Sequence, residues 1–515
     1  MYKIKKIMIV GGGTSGWMTA AALAKFLIPR GIDIELIESS AIGSVGVGEA
    51  TIPHIRVFND MLGIDENEFI RETGATYKLA IRFDGWGEKN SSYFHPFGVS
   101  GFPINGIDFH HYWLRLKQEA EVSEYGAYSF AAVAANLKRF GYPASNPNSP
   151  AYDFSYAFHI DASKYASFLK SRALAAGITH IDGKVTEVTR DKEGAINAVQ
   201  LDSGEFFEAD FFIDCSGFRS LLLGESLGVG FESWAKWLPC DSAYAVPSEA
   251  LSSPPSYTLS SAQPSGWQWR IPLQHRTGNG LVFSSSHQSN ESALSTLLCN
   301  VSEPITADPK LLRFEAGKRK QSWEKNCVAI GLSAGFLEPL ESTSLYLVQV
   351  AVQKFLELFS CEAAIGTTEM NAFNYLINIE YERIRDFLVL HYYANNRKDS
   401  DFWADCREMA IPDSLEEKLD IFRCGAGVVE YRHGLFMPAS WLAVYLGQGV
   451  VPVTYDPRLQ KMPLGKMKAF LAQVEGDVQR AVERYESHSL FVLRVNSKAS
   501  GAYPPASMSL YGAPR

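Results

Sequence analysis

Length, composition and charge already limit what this chain can be. Its 515 residues, 46% hydrophobic and 20% charged, are typical of a large folded enzyme with subdomains rather than of a disordered or fibrous protein. The 48 lysines and arginines are outnumbered by 57 aspartates and glutamates, and the net charge of −9 argues against binding nucleic acid or an anionic membrane through bulk charge. Seven cysteines without a CxxC pair predict neither a disulfide framework nor a zinc ribbon and favour the cytoplasm. The chain has no apolar run long enough to predict a transmembrane helix.

The N-terminus predicts a strand, a glycine-rich turn and a helix in that order. The apolar run Ile7 to Val10 precedes Gly11-Gly12-Gly13-Thr14-Ser15-Gly16, and an alanine-rich stretch from Met18 to Leu27 follows. The first glycine fits the tight turn, Gly13 lets the backbone approach a pyrophosphate, and Gly16 permits close packing of the helix on the strand. This arrangement predicts dinucleotide binding.

Two features then distinguish among dinucleotides. A second predicted strand, Ile32 to Ile37, ends at Glu38, whose carboxylate is placed to bind a ribose hydroxyl and would repel a 2′-phosphate, which leaves FAD or NAD. FAD is favoured because further predicted strands are dispersed along the chain, as when a large flavoprotein builds one site from distant segments. These strands lie at 184–188, 196–201, 210–217 and 327–332. No second complete GxGxxG occurs, so we expect the electrons to arrive from elsewhere.

Three further segments carry a family resemblance. They are Gly46-Val47-Gly48-Glu49-Ala50-Thr51-Ile52-Pro53, Trp267-Gln268-Trp269-Arg270-Ile271-Pro272 and Gly335-Phe336-Leu337-Glu338-Pro339-Leu340-Glu341-Ser342-Thr343. Together with the FAD motifs, they resemble the flavin-dependent tryptophan halogenases from residue 1 to at least 346. The C-terminal third resembles that family more loosely, chiefly at Ser440-Trp441.

We therefore predict an α/β fold in which an FAD-binding Rossmann-like domain of the flavoprotein monooxygenase type is interwoven with a largely α-helical substrate-binding part. The FAD-binding part is expected within residues 1–355, as three pieces separated by substrate-cavity segments, and the helical part within 356–515. The three pieces are roughly 1–90, 150–225 and 320–355. The tail 497–515, with Gly, Pro and Ser, is expected either to be poorly ordered or to pack on a partner subunit, as in a homodimer.

The resemblance implies a reaction with several co-substrates. Reduced FAD and O2 would oxidise chloride or bromide, and hypohalous acid would travel to an indole-like aromatic held apart from the flavin. A separate NAD(P)H-dependent flavin reductase would deliver the FADH2. Trp267, Trp269, Ile271 and Pro272 would form a wall that only halide is small enough to bypass, and ordinary core packing is the alternative role for these side chains.

Two residues are assigned to catalysis by the resemblance. Lys78 matches the family's catalytic lysine, and burial on an apolar strand would lower its pKa, so that it hydrogen-bonds hypohalous acid or forms a haloamine. A lysine that extends from an edge strand to water is the alternative. Glu341 matches the glutamate that would stabilise positive charge on the attacked ring and accept its proton. Spacing alone does not choose between Glu338 and Glu341, and the resemblance chooses Glu341.

The resemblance also places the cofactor and the halide. Gly48, Glu49, Ala50 and Thr51 would lie along the isoalloxazine, Val185 near the adenine, and Leu332 and Leu345 beside the flavin. Thr343 and Ser344 match the family's halide-binding pair. Serine at 344 replaces the glycine usual in that family, which puts the choice of chloride over bromide in question.

For the substrate, His95 and Phe97 match a segment that would sandwich an indole with Trp441 nearby, and Ser342 is assigned to the same site. A purely structural role is the alternative for His95. Family members that take free tryptophan usually carry a Tyr-Tyr pair and a Glu shortly before that Trp, and residues 428–439 lack this clamp. Indole, a substituted indole or another electron-rich aromatic is therefore favoured, and a larger substrate such as a peptide stays open.

Other functions also remain open at this point. One is a flavin-dependent aromatic monooxygenase, and another is a non-catalytic FAD-binding protein. His110, His111 and His159 suggest metal ligands only superficially, because no other spacing completes a site, and we assign no metal.

Overall fold

A computed structural model of the chain describes residues 4–41, 48–361, 366–431, 433–497 and 502–506. Gly46 and Val47 of the family-like loop, and most of the tail 497–515, lie outside the described residues. The strands in chain order are β1 (Lys6–Val10), β2 (Asp33–Glu38), β3 (Gly48–Ala50), β4 (Thr76–Lys78), β5 (Ala80–Asp84), β6 (Ser92–Pro96), β7 (Ala157–Asp161), β8 (Thr179–Asp182), β9 (Val185–Arg190), β10 (Ile196–Leu201), β11 (Phe206–Glu208), β12 (Phe211–Asp214), β13 (Phe231–Ser233), β14 (Ser242–Ser248), β15 (Tyr257–Gln263), β16 (Gly266–Pro272), β17 (Thr277–Phe283), β18 (Lys310–Arg313), β19 (Gly317–Arg319), β20 (Trp323–Glu324), β21 (Cys327–Ala329) and β22 (Gly335–Phe336).

Helices surround these strands and dominate the last third of the chain. They are α1 (Thr14–Leu27), α2 (His54–Leu62), α3 (Glu66–Thr73), α4 (Phe109–Glu119), α5 (Phe130–Asn136), α6 (Ala162–Ala175), α7 (Asn290–Cys299), α8 (Ser344–Leu358), α9 (Thr367–Tyr393), α10 (Asp401–Glu408), α11 (Asp413–Gly425), α12 (Pro438–Gly447), α13 (Leu464–Glu483) and α14 (His488–Asn496). Short 3₁₀ turns include Gly331–Ser333 and Pro339–Glu341. Within the described ranges, no helix is both long and apolar enough to cross a bilayer.

Four of the predicted dinucleotide-site strands, β1, β2, β12 and β21, lie in one sheet, whereas those predicted at 184–188 and 196–201 are β9 and β10 of a separate three-stranded sheet with β11. The first sheet has the order β20-β21-β12-β1-β2-β8, and β1 pairs in parallel with both β2 and β12. The strand β1 reads as a continuous apolar run because a central parallel strand is covered on both faces. The helix α8 is largely buried and packs on this sheet, with the Phe355 ring 5.4 Å from that of Phe211. The fold prediction of an α/β protein with a large helical part is confirmed.

Two other sheets position the residues assigned to chemistry. A seven-stranded sheet has the order β18-β14-β17-β16-β15-β5-β6. Its strand β16 carries the segment 267–272, whose pattern is WxWxIP. In a three-stranded sheet, β7 pairs with β3 on one side and β4 on the other. This arrangement brings the segment Gly48–Ala50 and the strand that ends at Lys78 to the two sides of β7.

Candidate active site

The glycine turn after β1 has the shape of a pyrophosphate cradle. Gly11 has a φ of +115°, and a Cβ there would lie 2.2 Å from the carbonyl oxygen of Cys215, while a Cβ at Gly16 would lie 1.8 Å from the carbonyl oxygen of Gly11. At Gly13, the N-cap of α1, no described atom outside its immediate chain neighbours lies within 4 Å of the Cβ position, and no described side chain caps the helix. The amide groups that begin at Thr14 and Ser15 therefore face open space, as a pyrophosphate requires.

The carboxylate of Glu38 lies directly over this turn. A Cβ at Gly12 would be 1.6 Å from its Oε2, and Lys170 Nζ lies 2.6 Å and His180 Nε2 2.9 Å from its Oε1. The indole N–H of Trp17 donates to Oε2 at 3.3 Å. The position fits a ribose hydroxyl, and the cationic Lys170, which sequence reasoning missed, compensates the charge.

The remaining residues assigned to the cofactor surround the same end of the sheet. Val185 is buried in one apolar cluster with residues of β1 and β2. The turn that carries Leu332 lies against α1, since a Cβ at Gly331 would be 2.7 Å from Cβ of Ser15, and Leu345 is buried in the first turn of α8. These residues fit an extended dinucleotide that crosses the turn after β1.

Lys78, the last residue of β4, is buried. A break at Leu79 separates β4 from β5, so Lys78 is at a strand end rather than inside the single apolar strand that we expected. Its Nζ donates to the carbonyl oxygen of Thr51 at 3.0 Å and to Oγ of Ser342 at 2.8 Å, and it lies 5.2 Å from the Phe97 ring centroid.

The chemistry of Lys78 follows from these neighbours. Burial lowers the pKa of Lys78 to about 7, although the charge of Glu341 opposes the shift. Neutral amine and ammonium are therefore both populated near neutral pH. The alternative interpretation, in which Lys78 extends to water, is wrong, because Lys78 is 0% exposed.

The carboxylate of Glu341 lies between two imidazoles. Its Oε2 is 2.8 Å from Nδ1 of His95 on β6, and its Oε1 is 2.9 Å from Nε2 of His391 on α9. Burial would raise the pKa of Glu341, but the two imidazoles outweigh burial and lower it to about 2. The carboxylate is therefore ionised at neutral pH. Sequence reasoning missed His391, because a histidine in the buried face of a long helix carries no motif.

Ser342 links these two residues. It adopts a left-handed conformation with a φ of +59°, uncommon for a residue other than glycine, and its hydroxyl accepts from Lys78. Because Glu341 precedes Ser342 in the chain, this turn brings the lysine and the carboxylate to one site. A strained residue that directs a side chain toward such a site is typical of functional centres.

The residues assigned to substrate binding form a buried aromatic layer beside Glu341. Both ring nitrogens of His95 are engaged, because its Nε2 lies 2.7 Å from Oγ of Ser440 at the start of α12. Phe387 separates His95 from Trp441, with ring-centroid distances of 5.5 Å and 5.0 Å respectively. The structure therefore brings His95 to Glu341 directly and Trp441 through Phe387, a residue that sequence reasoning missed.

The two wall tryptophans on β16 are buried and are held in different ways. The indole N–H of Trp267 donates to Oε2 of Glu338 at 2.9 Å, and the Trp269 ring lies over Gly280, where a Cβ would be 2.0 Å from the ring. Burial raises the pKa of Glu338 to about 7. The two glutamates that spacing did not distinguish therefore face different neighbours.

The end of β16 connects the wall to the loop assigned to the isoalloxazine. The carbonyl oxygen of Pro272 accepts from the hydroxyl of Thr76 on β4, and a Cβ at Gly48 would lie 3.5 Å from Cγ2 of Ile271. Glu49, on the same short strand as Gly48 and Ala50, has a pKa raised to about 7 by burial. The wall, the loop and the strand of Lys78 thus meet.

The two residues assigned to halide binding lie at the N-terminus of α8. Thr343 is the N-cap and Ser344 the first helical residue. The buried hydroxyl oxygen of Thr343 has no hydrogen-bond partner among the described residues. A helix N-terminus favours an anion through its free amide groups and its dipole, and this one follows directly after Ser342.

The three histidines that superficially suggested metal ligands have other partners. His110 contacts the carbonyl oxygen of Ala426, His111 accepts from the amide of Asp456, and His159 lies between the hydroxyls of Thr76 and Thr258. Over the described part of the chain, no group of three or more His, Cys, Asp or Glu is arranged to hold a metal ion.

Comparison with known proteins agrees with this geometry. Residues 6–464 match the model of the tryptophan halogenase family. The structure superposes on BrvH, a flavin-dependent halogenase from Brevundimonas sp. BAL3, with a TM-score of 0.92 and 42% identity over 96% of this chain and 99% of that chain. A flavin-dependent halogenase from Xanthomonas campestris gives a TM-score of 0.92 and 40% identity over 98% of this chain and 100% of that chain.

Curated relatives lead to the same conclusion. The tryptophan 6-halogenase SttH from Streptomyces toxytricini is 36% identical over 491 residues, which are 88% of this chain and 91% of that protein. Fold and site thus define an oxidoreductase of the flavin-dependent halogenase class, which uses FADH2, O2 and halide. The chain belongs to the tryptophan halogenase family. The family prediction is confirmed, and neither a monooxygenase nor a non-catalytic flavoprotein is favoured.

Proposed function

We propose that this protein is an FADH2- and O2-dependent halogenase that places chlorine or bromine on an indole-like aromatic through hypohalous acid held at Lys78. The observation that carries the proposal is the buried amine of Lys78, whose two hydrogen-bond partners, Thr51 and Ser342, are both uncharged. A lysine that only stabilised the fold would not need such a site, since burying its charge costs free energy.

The cofactor site has three parts. Gly11, Gly13, Thr14, Ser15 and Gly16 would hold the pyrophosphate and Glu38 the ribose, while the segment from Gly48 to Thr51 would line the isoalloxazine. Bound FAD, when reduced and supplied with O2, provides the oxidising power that converts halide into hypohalous acid. We expect the protein in the cytoplasm, with FADH2 delivered by a separate NAD(P)H-dependent flavin reductase.

Lys78 receives the hypohalous acid. As ammonium it donates a hydrogen bond to the acid, and as neutral amine it forms an N–halogen bond while water leaves. A pKa of about 7 keeps both forms available near neutral pH. Glu341, ionised and fixed by His95 and His391, stabilises the positive charge on the attacked ring and then accepts the proton from the halogenated carbon.

We propose an indole without the α-amino-acid group as a better substrate than free tryptophan. Besides the missing clamp, a buried cation occupies this region. Nζ of Lys418 lies 3.9 Å from the Tyr431 ring centroid and 4.2 Å from that of Trp441, and it donates to the carbonyl oxygen of Val429. Burial lowers the pKa of Lys418 only to about 8, so the ammonium prevails near pH 7 and opposes a substrate ammonium group.

Mass spectrometry of products tests both statements. Indole, tryptophan and tryptamine are each incubated with the protein, FAD, a flavin reductase, NADH and either chloride or bromide. We expect a halogen isotope pattern in the product, with kcat/KM for indole at least about tenfold above that for tryptophan, in keeping with discrimination by one charged contact. Hydroxylated product without halide would favour a monooxygenase. Equal efficiency on tryptophan would reject the substrate proposal alone.

A further inference from the structure

Glu338 makes a buried contact that links the wall to the helical part of the protein. Its carboxylate is 0% exposed, and its Oε2 accepts hydrogen bonds from the indole N–H of Trp267 at 2.9 Å and from the hydroxyl of Tyr392. The two donors come from different elements, β16 and α9. One oxygen atom thereby joins a wall residue to the helix that also reaches Glu341.

We propose that Glu338 is a positioning residue that fixes the Trp267 ring in the orientation seen in the structure, which we call the closed orientation, within the wall between the flavin site and the substrate site. The proposal rests on the proposed function, because a wall matters only if hypohalous acid has to pass from one side to the other. Glu338 itself touches neither substrate nor halide in this role. It acts through the orientation of one indole.

Trp267 depends on this contact more than its neighbour in the motif. Its ring meets Trp86 and Trp269 only at tilted angles, with centroid distances of 6.3 Å and 6.0 Å. Core packing constrains this ring, which is 1% exposed, and the N–H is the one polar group through which a hydrogen bond can also fix the orientation of a tryptophan. Trp269 is instead held by packing, because a glycine at 280 accommodates its ring.

The same turn and helix also hold the catalytic carboxylate. Glu341 follows Glu338 by one turn of the chain, and on α9 His391 and Tyr392 are consecutive. His391 reaches Glu341 and Tyr392 reaches Glu338, so α9 holds both glutamates at once. The orientation of the wall is thereby coupled to the position of the proton acceptor.

The chemistry of the second oxygen suggests a conservative variant. Oε1 of Glu338 has no hydrogen-bond partner among the described residues. Glutamine can therefore present its single amide oxygen to both Trp267 and Tyr392, whereas leucine leaves both donors buried and unpaired. Glu338→Gln should keep the closed ring orientation, and Glu338→Leu should lose it.

The first test measures the hypohalous acid that leaves the protein before it reaches the substrate. Each variant is assayed for halogenated indole and for hypohalous acid caught by a soluble thioether, both per FADH2 consumed. Loss of a hydrogen bond to a carboxylate shifts the ring equilibrium by about tenfold, so escaped acid should rise by up to about tenfold in Glu338→Leu and stay near wild type in Glu338→Gln. Glu232→Leu is the control for removing a carboxylate from an indole N–H elsewhere in the fold, since Glu232 accepts from Nε1 of Trp234 at 2.8 Å and lies on a different sheet from the wall.

The second test needs no cofactor. In protein labelled with ¹⁵N-tryptophan, the indole N–H of Trp267 is assigned from its absence in Trp267→Phe. Its hydrogen exchange should accelerate by about tenfold in Glu338→Leu and remain unchanged in Glu338→Gln and Glu232→Leu. If Glu338→Leu does not fold, Trp267→Phe, which removes only the donor and part of the ring, should show the same rise in escaped acid.

The outcomes separate two failures. The positioning role would be overturned if Glu338→Leu released hypohalous acid and exchanged the Trp267 N–H at wild-type rates. It would also be overturned if Trp267→Phe released hypohalous acid at the wild-type rate. A wild-type enzyme that yields neither halogenated indole nor trapped hypohalous acid with halide present would instead overturn the proposed function, whatever the exchange rates show.

Discussion

Glu338 and Glu341 lie three residues apart in one turn and are both buried, yet the groups that contact their carboxylates differ in kind. The contacts of Glu338 are neutral donors on Trp267 and Tyr392, and burial raises its pKa to about 7. Glu341 is equally buried, but two imidazoles lower its pKa to about 2. Equal burial therefore gives opposite ionisation preferences. The neighbours supplied by distant elements decide which carboxylate is held ionised, and therefore which one we propose as the base and which as the anchor of the wall.

The largest loss of activity is expected when the lysine near these two glutamates, Lys78, is replaced. Lys78→Ala removes the group that holds hypohalous acid, so halogenation of indole should fall by at least about 10³-fold. FAD binding, measured by flavin fluorescence, should largely persist, because the glycine turn would hold the pyrophosphate and Lys78 meets the flavin segment through the backbone carbonyl of Thr51. Halogenation within tenfold of wild type would refute the role of Lys78.

Exchanging each glutamate for its amide tests the comparison directly. Glu341→Gln removes the proton acceptor and should lower kcat by about 10²- to 10⁴-fold with little change in KM. Glu338→Gln keeps its contacts and should change kcat by less than about fivefold. Steady-state rates of halogenated indole formation, measured by liquid chromatography, distinguish the two. Equal losses in both variants would mean that the two carboxylates share one role.

The pH dependence of the rate should change in only one of the two variants. The charge of Glu341 raises the pKa of Lys78 against the effect of burial, which leaves that pKa at about 7. In Glu341→Gln the residual activity should titrate at a lower pH than in wild type, because burial then acts unopposed, whereas Glu338→Gln should keep the wild-type inflection. A profile of kcat from pH 5 to pH 9 provides the measurement. An unchanged inflection in Glu341→Gln would mean that Lys78 is not the group whose titration controls kcat.

The smallest effects concern the free energy of unfolding, and they should have opposite signs. The raised pKa of Glu338 stabilises the fold below its unfolded value of 4.5, and this stabilisation is lost as pH rises through about 7. The lowered pKa of Glu341 stabilises the fold above 4.5, and this is lost as pH falls through about 2. Each shift corresponds to about 3 kcal/mol.

Denaturant unfolding at pH 4 and pH 8 measures this difference. Relative to wild type, Glu338→Gln should gain most of that amount between pH 4 and pH 8, whereas Glu341→Gln should lose only a small part of it, because the stabilisation by Glu341 is lost mainly below pH 4. Both variants replace a carboxylate with an amide of nearly the same size, so their packing changes are matched. Parallel changes in the two variants would contradict the opposite ionisation preferences.

Much of the fold was accessible from local sequence patterns. The strand, glycine turn and helix at the N-terminus appear where the sequence predicts them, because each depends on residues adjacent in the chain. The WxWxIP segment is one strand, and the helix after Thr343 begins at Ser344. Family membership followed from short motifs for the same reason.

The site was accessible only in part. Lys78 and Glu341 were assigned through a resemblance, and neither spacing nor periodicity distinguished Glu341 from Glu338. His391 and Tyr392 on α9 and Lys418 on α11 carry no motif. Their importance arises from what they face across the core.

By itself the sequence determined the elements of this protein, its dinucleotide turn and its family, since these features follow from neighbours along the chain. Only the tertiary structure decided which carboxylate is ionised and how the lysine is held. The contacts responsible join residues 264 positions apart for Lys78 and Ser342, and 246 apart for His95 and Glu341. The pKa of a buried group depends on charges and donors within a few ångströms, and chain folding alone brings those groups together.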